Sequence, residues 1–451
     1  MKLVKKSLII KASIWSSLGY ILTQLTRLIG NLLLTRLLVP EYFGVMGIVS
    51  IVYVGLYMFS DLGIRQNVIQ SSYGEDNEFL DTAWTIQIIR GFLIAFLMLF
   101  VSGILYIVNS NSLLNDDIVY SDPMLPLALS IISIQPIIQG FESINISLQN
   151  RNLALKNITY LEIISQTSGT VLMVVLAYYY HNIWSLISGM IFGTAVKTVM
   201  SYFLVPGRLN HLRLTDKYVH EIIRFGKWII LSSISGFFLS QGDRLLLGGL
   251  VGPETLGIYT IAYFLASSIY LALNRLTQSV FLPALSNKAR NNSQQLIDAY
   301  FKIRKHTDII SFFVAGALFV SGQEIINLMY DNRYEDAGWM LEILGFSTIG
   351  IAVVVIEQVF LAIGKSKWMS MLSIIQLTIL YIGLPICYYH YNLYGAIWLI
   401  SISFAPKYLI SLLFLKNIKM LSLKQEFKYF PLLAIGMLCG YLFNISSQLI
   451  D

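Results

Sequence analysis

Six cations stand inside otherwise apolar runs of this chain: Arg27, Arg90, Lys197, Arg244, Arg275 and Lys407. An ionised side chain at that depth is costly and faces a cavity, a partner or an interface. A guanidinium presents a planar fork of donors that matches phosphate oxygens, whereas an ammonium acts as a point charge. Arg27, Arg90 and Arg275 lie well inside their runs and are the first candidates for lining an anion-binding path. Lys197, Arg244 and Lys407 are the secondary ones. Snorkelling or interhelical pairing competes with this account at each position. It weighs most on Arg244, which adjoins Asp243, and on Lys407, which follows Pro406. Among the acids, Glu142, Glu162, Asp308 and Glu357 are candidates for carrying a coupling ion, because a carboxyl in a partly dry cleft responds to desolvation and to neighbouring cations. Glu142 and Glu357 occupy comparable places in the two halves of the chain, which favours a structural role for both.

Other chemistries lack their residues. The two cysteines, Cys387 and Cys439, form no CxxC run and no Cys/His cluster, so no metal and no cofactor are expected. There is no Walker A run. The five histidines, His181, His211, His220, His306 and His390, fall near loops or run ends, and none has the spacing of a catalytic pair. A chemical step on a substrate is therefore not expected.

The elements that must position these residues are membrane helices. Of 451 residues, 56% are apolar and only 12% charged, and the mean hydropathy is +0.67. Soluble domains carry about 25% charged residues. Apolar runs of about 20 residues recur from end to end, each long enough to cross a hydrocarbon core of about 30 Å as a helix. Thirteen spans are expected: 12–34, 42–60, 84–108, 124–148, 158–179, 182–203, 226–248, 256–281, 307–329, 338–363, 368–388, 393–415 and 427–446. The fold class is thus an all-α polytopic membrane protein, with two six-helix lobes and one further C-terminal apolar segment.

Loop charge sets an expected orientation. With the N-terminus inside, 23 of the 31 Lys and Arg residues, Arg290 and Arg304 among them, fall in inside segments. Only Arg36 and Arg333 fall in outside loops. Such asymmetry marks the cytoplasmic side. It also accounts for the net charge of +6, with attraction to anionic membrane lipids and without a nucleic-acid partner. Tyrosines clustered at run ends, Tyr178–Tyr180 and Tyr388–Tyr391, suit an interfacial belt.

The halves repeat. Residues 32–48 and 245–261 match at eight of 17 positions, including Pro40/Pro253, Glu41/Glu254 and Gly44/Gly257, at an offset of 213. Each Pro-Glu turn follows the first helix of a six-helix unit, so the repeat is parallel, about an axis along the membrane normal. The expected organisation is a lobe over 1–203, a linker over 204–225 containing Pro206 and Gly207, a second lobe over 226–415, and a basic linker with an accessory apolar segment over 416–451. Two such lobes can rock about a shared cleft.

The stretch Arg36–Gly44, then Asp61-Leu62-Gly63, then Gly242-Asp243-Arg244 leading into Gly252–Tyr259, resembles the polysaccharide transport family of Wzx-type O-antigen, capsule and colanic-acid-type flippases. That family belongs to the multidrug/oligosaccharidyl-lipid/polysaccharide exporter superfamily. The resemblance covers about residues 5–415. It implies two six-helix bundles around a central cavity in a bacterial inner membrane. The implied substrate is a polyprenyl-diphosphate-linked glycan moved from the cytoplasmic to the outer leaflet. A polysaccharide polymerase and a chain-length regulator are the implied partners. The alternatives are a multidrug or lipid II transporter of the same superfamily, and a membrane glycan-assembly enzyme or scaffold.

Overall fold

A computed structural model describes residues 2–277, 281, 285, 286, 288, 289 and 293–448. Arg290 and residues 278–280 of the expected 256–281 span lie outside the described residues. The described chain is helical throughout: α1 (Lys2–Leu37), α2 (Pro40–Phe59), α3 (Ile64–Gln70), α4 (Asn77–Ser110), α5 (Met124–Ile132), α6 (Ile134–Gly140), α7 (Asn145–Arg151), α8 (Leu155–Tyr180), α9 (Trp184–Leu204), α10 (Asp216–Leu247), α11 (Pro253–Leu276), α12 (Ser293–Met329), α13 (Ala337–Leu344), α14 (Ile351–Ala362), α15 (Ser366–Ile402), α16 (Phe404–Asn417), α17 (Leu423–Glu426) and α18 (Leu432–Gln448).

Among the described residues, eight helical stretches are long and apolar enough to cross a membrane, or ten if each of two bent pairs counts as one span. The thirteen expected spans exceed this in three places. The runs 368–388 and 393–415 lie in one apolar stretch, Ser366–Asn417, whose helical path breaks at Asn392 with φ 52°. The expected span 12–34 lies on α1, which is not among the eight, and the side chains of residues 12–14 and 16 lie outside those described. The last run forms only the short apolar helix Leu432–Ser447. At about 1.5 Å rise per residue, fewer than 18 residues fall short of a core of about 30 Å. The bent pairs correspond to the expected spans 124–148 and 226–248. The first breaks by 59° between Gly140 and Asn145, and the second by 46° between Lys227 and Ser232.

The outward faces are apolar. On α4, Ile89, Phe92, Leu93, Phe96, Leu99, Phe100, Ile104 and Ile107 are all exposed at helical spacing. A stripe of that length facing water would be an aggregation surface, whereas facing lipid it needs no partner. Close helix contacts are instead made by small residues, as in membrane bundles generally. A Cβ on Gly169 of α8 would meet the Gly189 carbonyl of α9 at 2.9 Å, so these two helices can only pack this closely without it.

The chain divides into two compact units, Met1–Phe238 with Gly248–Glu254, and Leu239–Leu247 with Thr255–Asp451. The division falls inside α10, later than the connection 204–225. That connection is irregular only over 205–215 and helical from Asp216 onward.

Candidate functional site

In the first unit, α2, α4, α6, α8 and α9 enclose a polar cavity of about 260 Å³ lined by Tyr57, Asp61, Arg90, Glu142, Glu162 and Lys197, among others. Arg90 projects from α4 and is buried, at 8% exposure. Its Nη2 donates to the Tyr57 carbonyl at 2.5 Å and its Nε to Ser60 Oγ at 3.1 Å. Its Cζ lies 4.1 Å from the centre of the Tyr57 ring, and Nη1 is 3.7 Å from Asp61 Oδ1. The C-terminal end of α2 thus offers the guanidinium a carbonyl, a hydroxyl, an aromatic face and a carboxylate together.

Glu142 follows α6 on a loop held from several sides. Gln87 Nε2 donates to the carbonyls of Gly140 and Glu142, both at 2.9 Å. The Ser143 N–H donates to Ser201 Oγ at 3.0 Å, and Tyr202 Oη donates to the Phe141 carbonyl at 2.6 Å. So fixed, the Glu142 carboxylate meets Lys197 Nζ of α9 at 2.8 Å. Glu162 of α8 lines the same space. Chemically, this cavity can exchange an internal carboxylate for an external anion at Lys197, while Arg90 holds positive charge alongside.

The second unit repeats the pair. Lys407 Nζ of α16 lies 2.8 Å from Glu357 Oε1 of α14 and donates to Gln376 Oε1 at 3.3 Å. Glu142 and Glu357 are 215 residues apart and Lys197 and Lys407 are 210 apart, bracketing the repeat offset of 213. Lys407 opens onto a cavity of about 360 Å³ lined also by Asp243, Tyr263, Tyr270, Asn274 and Gln376. Asp243 accepts from Tyr259 Oη at 2.5 Å, and the Arg244 guanidinium lies over the Tyr263 ring at 4.6 Å.

The remaining sequence candidates fall elsewhere. Arg27 is exposed on α1, and Arg275 is exposed at the end of α11. Asp308 of α12 sits in a closed, buried network. It meets Arg304 Nε at 2.9 Å, while Arg304 Nη1 meets Glu426 Oε2 of α17 at 2.8 Å. Tyr300 Oη and Tyr408 Oη donate to Glu426 at 2.6 and 3.0 Å. The turn motifs start helices: Pro40 and Pro253 open α2 and α11, where a missing N–H costs nothing, with Glu41 and Glu254 in the first turns. Gly44 lies directly against the Pro253 carbonyl, so a Cβ there would collide with backbone, and Gly257 is buried.

Sequence reading missed several members of these sites. Gln87 and Gln139 are uncharged and vanish in apolar runs, although Gln139 accepts from Tyr53 Oη at 2.5 Å. Asp61 was visible only as part of a turn motif. Glu426 is a lone acid in the basic stretch 416–428, the one signal that could have flagged it. Among the described residues, no group of three His, Cys, Asp or Glu side chains could hold a metal ion.

The family model described as "Polysaccharide biosynthesis protein" matches residues 33–338. The lipopolysaccharide biosynthesis protein WzxC of Escherichia coli is 23% identical over 73% of this chain, a match that spans 65% of that relative's length. The capsular polysaccharide biosynthesis protein CapF of Staphylococcus aureus is 23% identical over 85% of this chain and 93% of its own. Among solved structures, the lipid II flippase MurJ in an inward closed conformation superposes with a TM-score of 0.72 at 16% identity, over 96% of this chain and 93% of that one. At that identity the likeness shows the fold. The family match takes in most of the chain, and the chain belongs to the polysaccharide biosynthesis protein family.

Proposed function

We propose that this protein is a flippase that carries polyprenyl-diphosphate-linked oligosaccharide from the cytoplasmic to the outer leaflet of the bacterial inner membrane, for surface polysaccharide synthesis. The observation that carries this reading is the Arg90–Lys197 cavity, which sets two cations among carboxylates inside a unit whose outer faces are apolar. A diphosphate entering it replaces Glu142 at Lys197, and the released carboxylate keeps the site from holding the anion too tightly to let it go. No bond in the substrate is made or broken. Arg27 and Arg275 belong to the same proposed path as exposed cations on their helices. The N-terminus is cytoplasmic. A polysaccharide polymerase and a chain-length regulator act on the delivered unit.

Deleting the gene, in a strain with no second flippase, is expected to trap the lipid-linked unit in the inner leaflet and abolish the surface polysaccharide. Normal surface polysaccharide in that strain would refute the assignment. A lipid II transporter shares the diphosphate chemistry and is separated by the same experiment, since its loss stops cell-wall synthesis.

A further inference from the structure

The irregular segment 205–215 leaves α9 at Leu204 and enters α10 at Asp216, and it is fastened along the first turns of α4. Asp81 accepts from Arg208 Nη2 at 2.5 Å and from the His211 N–H at 3.0 Å. Thr85 Oγ1 accepts from the Arg213 N–H at 2.9 Å, and Thr82 Oγ1 from the Thr215 N–H at 3.3 Å. Asp81, Thr82 and Thr85 are buried polar residues that would otherwise lack a purpose at the start of an apolar helix. They satisfy backbone donors that water would serve in an ordinary loop.

The strap therefore has an inner polar edge and a different outer one. Leu209, Leu212 and Leu214 are 66%, 72% and 53% exposed. Their level is read along α4, a 34-residue stretch able to span and about 51 Å long, which exceeds a core of about 30 Å and leaves its first polar turns for the interface. Thr85 lies eight residues into that helix, about 12 Å along it at 1.5 Å per residue. The Arg213 backbone is bound at that level. Its side chain runs back toward the helix start and meets Glu78 Oε1 at 2.8 Å, seven residues nearer the end, or about 10 Å. A cation whose backbone is held near the start of the apolar part of α4, with its head drawn toward the helix end, has the geometry of snorkelling.

We propose that residues 205–215 form a membrane-interface strap whose Leu209, Leu212 and Leu214 insert into the acyl-chain boundary of the bilayer around α4. Arg208 and Arg213 are each committed to a carboxylate, Asp81 and Glu78. Insertion is thus driven by apolar burial and does not depend on anionic headgroups. The inference stands independently of what the protein transports.

The test uses the full chain with Cys387→Ser and Cys439→Ser, a nitroxide at Leu212→Cys, and a reference nitroxide at Asp117→Cys in the exposed loop 111–118. Leu209→Cys and Leu214→Cys repeat the measurement. The protein is reconstituted in phosphatidylcholine vesicles, with and without phosphatidylglycerol. At position 212, relaxation by oxygen is expected to exceed relaxation by a water-soluble nickel chelate at least fivefold, equally in both vesicles, while position 117 shows the reverse. Nickel access at 212 equal to that at 117 overturns the proposal. So does an oxygen preference that appears only with phosphatidylglycerol, which would assign the strap to headgroups. Poor access for both probes at 212 also overturns it, because a protein surface then covers the leucines.

Discussion

In the first unit the side chains of Lys197 and Glu142 are 33% and 15% exposed, and in the second those of Lys407 and Glu357 are 10% and 7% exposed, although both pairs close to 2.8 Å. The first pair shares its cavity with Arg90, Asp61 and Glu162. The second faces amide, hydroxyl and aromatic groups, with Asp243 already bonded to Tyr259. The same unit closes Arg304, Asp308 and Glu426 into a network that leaves almost nothing exposed. The repeat thus carries one ion pair to two ends. Where partners are few and burial is deep, the pair holds helices together. Where further charges crowd an open cavity, it can be exchanged. Whether a buried charge works as brace or as site depends on how many of its alternatives remain reachable.

The largest effect should come from the closed network. Glu426→Ala leaves part of the Arg304 charge uncompensated in a dry site, and breaking a buried pair in this way costs about 3–5 kcal/mol. The purified protein should lose thermal stability and its membrane level should fall. Glu426→Gln, which keeps the shape and one tyrosine bond, should lose less. An unchanged melting temperature for Glu426→Ala would show that α17 is not held by this contact.

Next in size is the direct contrast of the two lysines. Lys407→Met should destabilise by about 3 kcal/mol because Glu357 is left buried alone. The double variant Lys407→Met, Glu357→Met should recover most of that. Lys197→Met should cost under about 1 kcal/mol, since Glu142 keeps access to the cavity, yet it should abolish transport per folded molecule. Equal stability losses for the two lysines, with transport retained in Lys197→Met, would erase the distinction between the units.

Arg90 sharpens the same comparison. Its bonds to Tyr57 and Ser60 and its stacking on the Tyr57 ring need a planar fork. Both Arg90→Ala and Arg90→Lys should lower transport at least tenfold, or about 1.4 kcal/mol of barrier. Full rescue by Lys would mean that only positive potential matters. Arg27→Ala and Arg275→Ala, both at exposed positions, should do less.

The smallest effect lies outside the membrane. Asp76 caps α4 by accepting from the Glu78 N–H at 2.8 Å. That bond, with a second from the Tyr218 hydroxyl, holds its carboxyl below the usual range. A depressed acid contributes stability that is present above its unfolded value and lost as pH falls through the folded one. Asp76→Ala should therefore cost about 1 kcal/mol at neutral pH, and the difference from the parent protein should shrink as acid takes the pH below 3.8 and vanish once the lower folded value is passed. A difference that persists there would point to packing instead.

Much of this was legible along the chain because it rests on local chemistry. Apolar runs of membrane length dictate helices, since the backbone can satisfy its own polar groups only that way in hydrocarbon. Pro40 and Pro253 mark helix starts because proline at the first position loses no bond. The parallel placement of Glu142 and Glu357 could be seen from the repeat. The membrane stretches were less countable. A run such as 366–417 breaks at Asn392 through backbone geometry that hydropathy does not register, and among the described residues Leu432–Ser447 falls short by length.

Partnership was not legible, because contacts between helices have no period in sequence. The one-dimensional pattern placed Lys197 and Glu142, Lys407 and Glu357, and Arg304 and Glu426 at separations of 50 residues or more. Nothing in those separations says that each pair meets. Arg27, Arg90 and Arg275 looked alike as cations in apolar runs, but only packing buried Arg90 and left the other two exposed. The sequence by itself determined that this chain lives in a membrane as helices, that its halves repeat, and which charges must be explained. Tertiary structure alone decided which of those charges are spent on one another and which still face a space. Hydrocarbon penalises any lone charge, and only the arrangement of neighbours in three dimensions sets how each one is compensated.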